Sequence, residues 1–271
     1  MTFALPDYLD RIGLERAERT VEGLDALVKA QMSAITFENV EPLFGIVPDL
    51  SPAAVWRKLV VGRRGGYCME QNSLLGTALE ALGFSAPPFL GRVRLGAPTG
   101  RQRSHYAWTV SLGGREYLAD AGFGGPAAHG IVPLEEPGTE HEIAGRVFRV
   151  REDRATGERV VERLQPDGWF ALYGFDEVPV TSHDVEAANF VAARWEKSSF
   201  PSHLMLSLHR SEGRAAMFDR MLTLEGADGT EKRELASADE FEATLDGIFG
   251  LNLDRATVDA VWARIGGPAR P

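Results

Sequence analysis

The segment RGGYCMEQN, residues 64–72, ends a loop with a double glycine and contains Cys68, the only cysteine in 271 residues. An apolar stripe follows at helical spacing, so the sequence predicts a helix that begins near Cys68 and stops near Gly83. Unpaired backbone N–H groups and the positive end of the helix dipole favour the thiolate form of a cysteine placed there. Gly65 and Gly66 permit a close backbone approach that a Cβ would block.

Cys68 taken alone leaves two interpretations open. A lone cysteine is commonly a small buried hydrophobe, but at the start of a helix it is also a plausible nucleophile. One cysteine cannot form an internal disulfide or a cysteine-based metal cluster, which is typical of a reducing compartment. The N-terminal residues include acids where a signal peptide would be basic, so we expect a cytoplasmic protein.

Composition excludes several classes of partner. The chain has 29 Lys and Arg against 39 Asp and Glu, a formal net charge of −10. Nucleic acid and anionic membrane surfaces are therefore not expected as partners, and any anionic ligand has to be held locally. No stretch of about 18 uncharged apolar residues occurs, so no membrane span is expected.

The periodicity of apolar residues divides the chain into three parts and predicts a mixed α+β fold. Apolar residues recur every three or four positions through residues 1–85, which predicts a helical bundle that carries the cysteine. Short alternating runs separated by Gly and Pro fill residues 86–185 and predict a small β-barrel or sandwich. For residues 186–271 we expect a linking segment and an α/β lobe, with a hairpin turning at Asp228-Gly229 and a helix capped by Ser237.

A second chemical feature lies in SHYAWTVSLGGREYLAD, residues 104–120, which reads as two strands joined by Gly113-Gly114. With a two-residue turn, His105 and Asp120 are diagonal neighbours on one face of the hairpin. That face is the more polar one, so we expect the opposite face to be the packed one. A His–Asp pair orients an imidazole, as activation of a thiol requires, although the pair alone could also be structural.

These features together resemble the arylamine N-acetyltransferase family, in the same order and over nearly the whole chain. The matching blocks are ITFENV at residues 35–40, RGGYCME at 64–70, SHYA at 104–107, DAGFG at 120–124, and a Leu-Thr…Asp-Gly…Phe-Gly-Leu pattern between Leu222 and Leu251.

The resemblance implies a helical domain, a β-barrel and an α/β lid around a catalytic core like that of cysteine proteases and transglutaminases. It implies that Cys68, His105 and Asp120 form a catalytic triad. Acetyl-CoA would acylate Cys68 as co-substrate without a metal, and an arylamine or hydrazine would then take the acetyl group in a ping-pong reaction. Such an enzyme would belong to xenobiotic metabolism.

The resemblance also implies substrate-binding residues. Phe37, Phe123 and Phe200 match family positions that line an aromatic acceptor pocket, where flat rings stack on the substrate. Gly124 matches a position where the pantetheine of CoA passes close to the backbone. Each phenylalanine is equally compatible with a core position.

Three other functions compete with the acetyltransferase. An amide synthase on the same scaffold would move a larger acyl chain from a thioester and would need a wider cleft and no CoA site. A thiol hydrolase shares the order Cys68, His105, Asp120, but the spacing and the flanking blocks disfavour it. A redox sensor or binding module would make the thiol dispensable.

Overall fold

The computed structural model describes residues 3–210, 213–227 and 229–266. Within these residues the helices are α1 (Leu5–Ile12), α2 (Val21–Ala34), α3 (Val40–Leu43), α4 (Pro52–Val55), which continues into a π-helical segment (Trp56–Val61), α5 (Cys68–Ala81), α6 (Ser182–Arg194), α7 (Ala238–Phe249) and α8 (Arg255–Ile265). The strands of the same residues are β1 (Phe37–Glu38), β2 (Pro88–Val93), β3 (Arg103–Leu112), β4 (Arg115–Ala119), β5 (Val132–Pro133), β6 (Glu140–Ile143), β7 (Arg146–Asp153), β8 (Glu158–Gln165), β9 (Gly168–Phe175), β10 (Met205–Arg210), β11 (Gly213–Phe218), β12 (Met221–Gly226) and β13 (Gly229–Glu234).

The strands form two antiparallel sheets. The larger has the order β5-β4-β3-β2-β9-β8-β7-β6, and its edge strands β5 and β6 approach each other so that it nearly closes into a barrel. The smaller has the order β1-β10-β11-β12-β13. The predicted α+β class is confirmed. None of the helices in the described part of the chain is long and apolar enough to cross a membrane.

The first third of the chain is not purely helical. Phe37 pairs with Ser207 and Glu38 with Leu206, so β1 becomes the edge strand of the C-terminal sheet. The chain segment that precedes the cysteine loop is thereby fixed against the last third of the protein. The division of the chain at residues 85 and 185 stays a prediction.

Helix α5 begins where the sequence predicts. Tyr67 is extended, and its backbone N–H donates to the Glu70 carboxylate, at 3.2 Å. A Cβ on Gly65 would lie 2.2 Å from the carbonyl oxygen of Thr36, so only glycine allows this approach. The helix ends at Ala81, two residues before Gly83, which has a positive φ.

The β3–β4 hairpin has the predicted register, since Leu112 pairs with Arg115 and Trp108 with Ala119. The expectation that only one face is packed was wrong. Ala107 and Leu118, on the face expected to be more polar, are 0% and 2% exposed in the barrel interior. The opposite face packs on the helices, so β3 lies between two cores.

The C-terminal hairpin and helix follow the sequence-based expectation. Strands β12 and β13 pair antiparallel from Met221–Glu234 to Gly226–Gly229, and Ser237 caps α7 by accepting a hydrogen bond from the Glu240 N–H, at 3.2 Å. Asp228, the predicted turn residue, lies outside the described residues. The sequence reading did not identify β9 or α6, and β9 contributes Tyr173 to the site below.

Helix α5 packs on β3 with the Trp108 indole directly against Gly76. The Trp108 Nε1–H donates to the backbone oxygen of Asn72, at 2.8 Å, and a Cβ on Gly76 would lie 1.9 Å from the indole ring. The missing side chain therefore sets the distance between the helix that carries Cys68 and the strand that carries His105.

We expect Gly76→Ala to lower the free energy of unfolding by about 1–3 kcal/mol, because overpacking here outweighs the better helix propensity of alanine. Gly247→Ala is the matched control: Gly247 is exposed in α7 with open space at its Cβ position. It should be neutral or stabilise by up to about 1 kcal/mol in urea denaturation. Equal effects at both positions would contradict the close contact.

Candidate active site

Three elements bring the sequence-predicted residues to one cavity. Cys68 is the first residue of α5, His105 lies on β3, and Asp120 directly follows β4. Cys68 and His105 line a cavity of about 280 Å³, and Asp120 lies behind the imidazole. The meeting of Cys68 with His105, which the sequence could not show, is therefore present in the fold.

Asp120 is 6% exposed, and four donors surround its carboxylate. Oδ2 accepts from His105 Nε2, at 2.7 Å, and from the Tyr173 hydroxyl, at 2.9 Å. Oδ1 accepts from Asn72 Nδ2 and from the Gly122 backbone N–H, both at 2.9 Å. Since a buried carboxylate is costly unless it is hydrogen-bonded, these contacts keep Asp120 ionised and fixed.

The electrostatics of this pair favour a charged imidazolium. Burial acts to lower the pKa of His105, but the Asp120 carboxylate and the Cys68 side chain outweigh it and raise that pKa to about 10. Burial acts to raise the pKa of Asp120, but His105, Asn72 and the Gly122 N–H hold it below its usual value. His105 is therefore protonated, and Asp120 ionised, across the neutral range.

Cys68 is 4% exposed, and its side chain faces the cavity at the N-terminal end of α5. Its sulfur lies 3.7 Å from the backbone oxygen of Ser104, the residue before His105. Cys68 and His105 line the same cavity, and Cys68 contributes to the raised pKa of His105. Cys68 thus lies at the N-terminal end of a helix and in the same cavity as a cationic ring.

A buried charge network supports the loop before Cys68. The Glu70 carboxylate lies 2.7 Å from Lys58 Nζ, and Lys58 also contacts Glu41 at 2.9 Å. Arg64 pairs with the buried Glu38 at 2.7 Å. Burial raises the pKa of Glu70 to about 7, although Lys58 opposes that shift. These pairs tie the cysteine loop to the strand and helix that precede it.

The predicted aromatic residues line the cavity. The Phe37 and Phe200 ring centroids are 6.2 Å apart, and Phe123 meets the His105 ring edge-on at 5.0 Å. Gly124 does not line the cavity, and its backbone packs on the Phe37 ring, where a Cβ would lie 3.0 Å away. The next residue, Gly125, forms part of the wall.

The cavity continues into a larger groove of about 450 Å³. The residues that line both are Val93, Leu95, Ser104, Phe200 and Met205. The groove adds the basic side chains of Arg101 and Lys197. A ligand longer than an acetyl group therefore has space beyond the cavity. Among the described residues, no group of three or more His, Cys, Asp or Glu side chains could hold a metal ion.

Two polar residues of the site were missed by the sequence reading. Asn72 lies four residues after Cys68, on the same helical face, and that spacing could have revealed it. Tyr173 lies on β9, an unrecognised strand, and no local signal connects it with Asp120.

Comparison with known proteins identifies the family. A family model described as N-acetyltransferase matches residues 20–258. The arylamine N-acetyltransferase of Mycobacterium tuberculosis (strain H37Rv) is 36% identical over 261 residues, which cover 93% of this chain and 91% of the relative.

Solved structures agree with the sequence match. The arylamine N-acetyltransferase of Mycobacterium marinum superposes with a TM-score of 0.90 and 33% identity, covering 97% of this chain and 99% of the other. A structure of the same enzyme in complex with CoA gives a TM-score of 0.89 at the same identity and coverage. The chain belongs to the arylamine N-acetyltransferase family of acyltransferases.

Proposed function

We propose that this acetyltransferase acts in the cytoplasm, in xenobiotic metabolism, and moves an acetyl group from acetyl-CoA through a covalent acetyl-Cys68 to an arylamine or arylhydrazine. The observation that carries the proposal is that Cys68 lines one cavity with a His105 whose Nε2 is held by the buried Asp120. The Mycobacterium marinum relative in complex with CoA supports CoA as the carrier.

The first half-reaction loads the cysteine. Because Nε2 of His105 is hydrogen-bonded to Asp120, the proton that His105 exchanges with sulfur is carried on its Nδ1. The Cys68 thiolate attacks the acetyl carbonyl, a new carbon–sulfur bond forms, and the bond to the CoA sulfur breaks. The His105 imidazolium gives its proton to the leaving CoA thiolate, so neutral imidazole faces acetyl-Cys68.

The second half-reaction transfers the acetyl group from Cys68 to the amine. The amine nitrogen attacks the acetyl-Cys68 carbonyl, the carbon–sulfur bond breaks, and neutral His105 takes the proton that the amine loses. This regenerates the thiolate and the imidazolium. Asp120 stabilises the imidazolium in both steps and holds the ring in place without itself becoming protonated.

The cavity suits a planar aromatic acceptor. Its walls are mainly apolar, and Phe37, Phe123 and Phe200 present rings around the sulfur. A volume of about 280 Å³ holds a small ring system next to the acyl group. Gly124 supports this wall by allowing Phe37 to pack on the loop.

The adjoining groove of about 450 Å³ favours one second candidate, an amide synthase that accepts a longer acyl thioester. The mass of the Cys68 adduct separates the two. Incubation with acetyl-CoA should add one acetyl group under the first proposal and leave the protein unmodified under the second. Cys68→Ser should prevent the adduct.

The covalent intermediate predicts ping-pong kinetics, because CoA must leave before the amine reacts. Plots of reciprocal initial rate against reciprocal acetyl-CoA concentration, at several concentrations of one arylamine, should be parallel. Intersecting lines would mean direct transfer within a ternary complex.

Asp120→Asn removes the charge that stabilises the imidazolium. The same change in a serine triad costs about 10⁴ in turnover, and since a thiol is more acidic we expect a loss of roughly 10²-fold or more. Asp219→Asn is the matched control, because Asp219 also accepts from a histidine, His203, at 2.7 Å, but at a partly exposed position. It should keep near-normal acetylation. Comparable losses in both folded variants would refute the specific role of Asp120.

The proposed pairing of a Cys68 thiolate with the His105 imidazolium predicts a weak pH dependence of thiol reactivity. The rate of iodoacetamide alkylation should then change little between about pH 6 and 8. The same protein unfolded in guanidinium is the reference, and its rate should rise roughly tenfold per pH unit until the free thiol titrates. A folded rate that follows the unfolded one would contradict the ion pair.

A further inference from the structure

A second, smaller cavity lies on the other side of the loop that follows Asp120. It has a volume of about 80 Å³ and is bounded by the β6–β7 turn, β8 and the C-terminal sheet. Gly125 lines both this cavity and the cavity of Cys68, and His129 of the same loop lines only the smaller one. The two cavities are therefore separated by a single short segment.

The smaller cavity carries a surplus of positive charge. Four arginines, Arg146, Arg163, Arg210 and Arg214, line it with one carboxylate, Glu225. Glu225 is shared between Arg146, at 2.6 Å, and Arg214. This local excess of positive charge is opposite in sign to the net charge of the protein, which is −10.

Arg163 lies among these arginines without an ion-pair partner of its own in the described residues. No carboxylate in the described part of the chain pairs with it, and its Nε is buried without a hydrogen-bond partner. Burial lowers the pKa of Arg163, and repulsion by Arg146 and Arg214 lowers it further. A bound anion would relieve this repulsion and give the guanidinium an acceptor.

His209 provides a second polar group that faces this cavity. It is 8% exposed, and within the described ranges its Nε2 has no hydrogen-bond partner. Its ring stacks on His129 with the centroids 4.7 Å apart. Burial, followed by His129 and the guanidinium groups of Arg214 and Arg146, lowers its pKa to about 3, so the ring is neutral and can carry a proton on Nε2.

We propose that this cavity binds one phosphate-like oxyanion, held by Arg163, Arg214 and the Nε2–H of His209. With a volume of about 80 Å³, the cavity has room for a small oxyanion such as one phosphate group. Arg214 lies close to the loop, because its Nη1 is 3.6 Å from the position that a Cβ on Gly125 would occupy. An anion that fixes the Arg214 side chain would therefore also restrict the loop beside the cavity of Cys68.

The bound phosphate group could come from two sources. One is free inorganic phosphate. The other is a terminal phosphate of the acyl donor, such as the 3′-phosphate of acetyl-CoA, and this second source rests on the proposed function.

Binding is tested first without turnover, with inorganic phosphate as the probe. Isothermal titration calorimetry of the full chain, at constant ionic strength set with chloride, should show saturable binding of phosphate. Arg163→Gln should raise the Kd at least tenfold, and Arg163→Lys, which keeps the charge, should raise it less. Arg159→Gln is the matched control on the same strand, because Arg159 pairs with Glu116 and Glu177 away from the cavity.

The source is tested by kinetics. If the phosphate belongs to the donor, 3′-dephospho-acetyl-CoA should have a higher KM than acetyl-CoA, inorganic phosphate should compete with acetyl-CoA, and Arg163→Gln should remove both effects. If the source is free phosphate, the two donors should have equal KM values while calorimetric binding persists.

Absence of saturable phosphate binding, or equal binding by wild type and a folded Arg163→Gln variant, would overturn the proposal. His209→Gln provides a second variant, with the same expected loss, should Arg163→Gln fail the circular dichroism check. Absence of acetyl transfer would refute the proposed function but would leave the calorimetric test intact.

Discussion

The carboxylate of Asp120 is the constraint on which the arrangement of the protein depends. It is buried, and its acceptor sites are filled from α5 by Asn72, from β3 by His105, from β9 by Tyr173 and from its own loop by Gly122. Because an unpaired buried charge is expensive, the helix and the barrel strands must meet at this one group. The packing that brings Cys68 to His105 is thus coupled to the ionisation of Asp120.

The parts of the site that follow from local rules could be predicted from the sequence. The start of α5 depends on the tight backbone at Gly65 and on the capping by Glu70, both within a few residues of Cys68. The alignment of His105 with Asp120 depends on a two-residue turn and on the alternation of side chains along a strand. Neither requires knowledge of the tertiary fold.

The remaining parts depend on contacts between distant segments. Tyr173 reaches Asp120 only because β9 pairs with β2, where Arg92 lies opposite Gly174. Phe37 faces the cavity because β1 is the edge of a sheet formed by the last third of the chain. The prediction that one face of the β3–β4 hairpin is not packed was wrong for the same reason. Strand β3 is buried on both sides because of the elements that pack around it, and the alternation of residues along one strand does not reveal those elements.

The loop between Asp120 and His129 separates a mainly apolar cavity from one that is rich in arginine. On one side it borders a mainly apolar cavity that is lined by Cys68 and His105. On the other side it borders a cavity whose arginines exceed the single carboxylate of Glu225. In a chain with a net charge of −10, an anionic substrate is not attracted from a distance, so any anion has to be recognised at short range. Under the proposed anion binding, cationic groups placed behind the loop supply that recognition without adding a further positive charge beside the Cys68 sulfur.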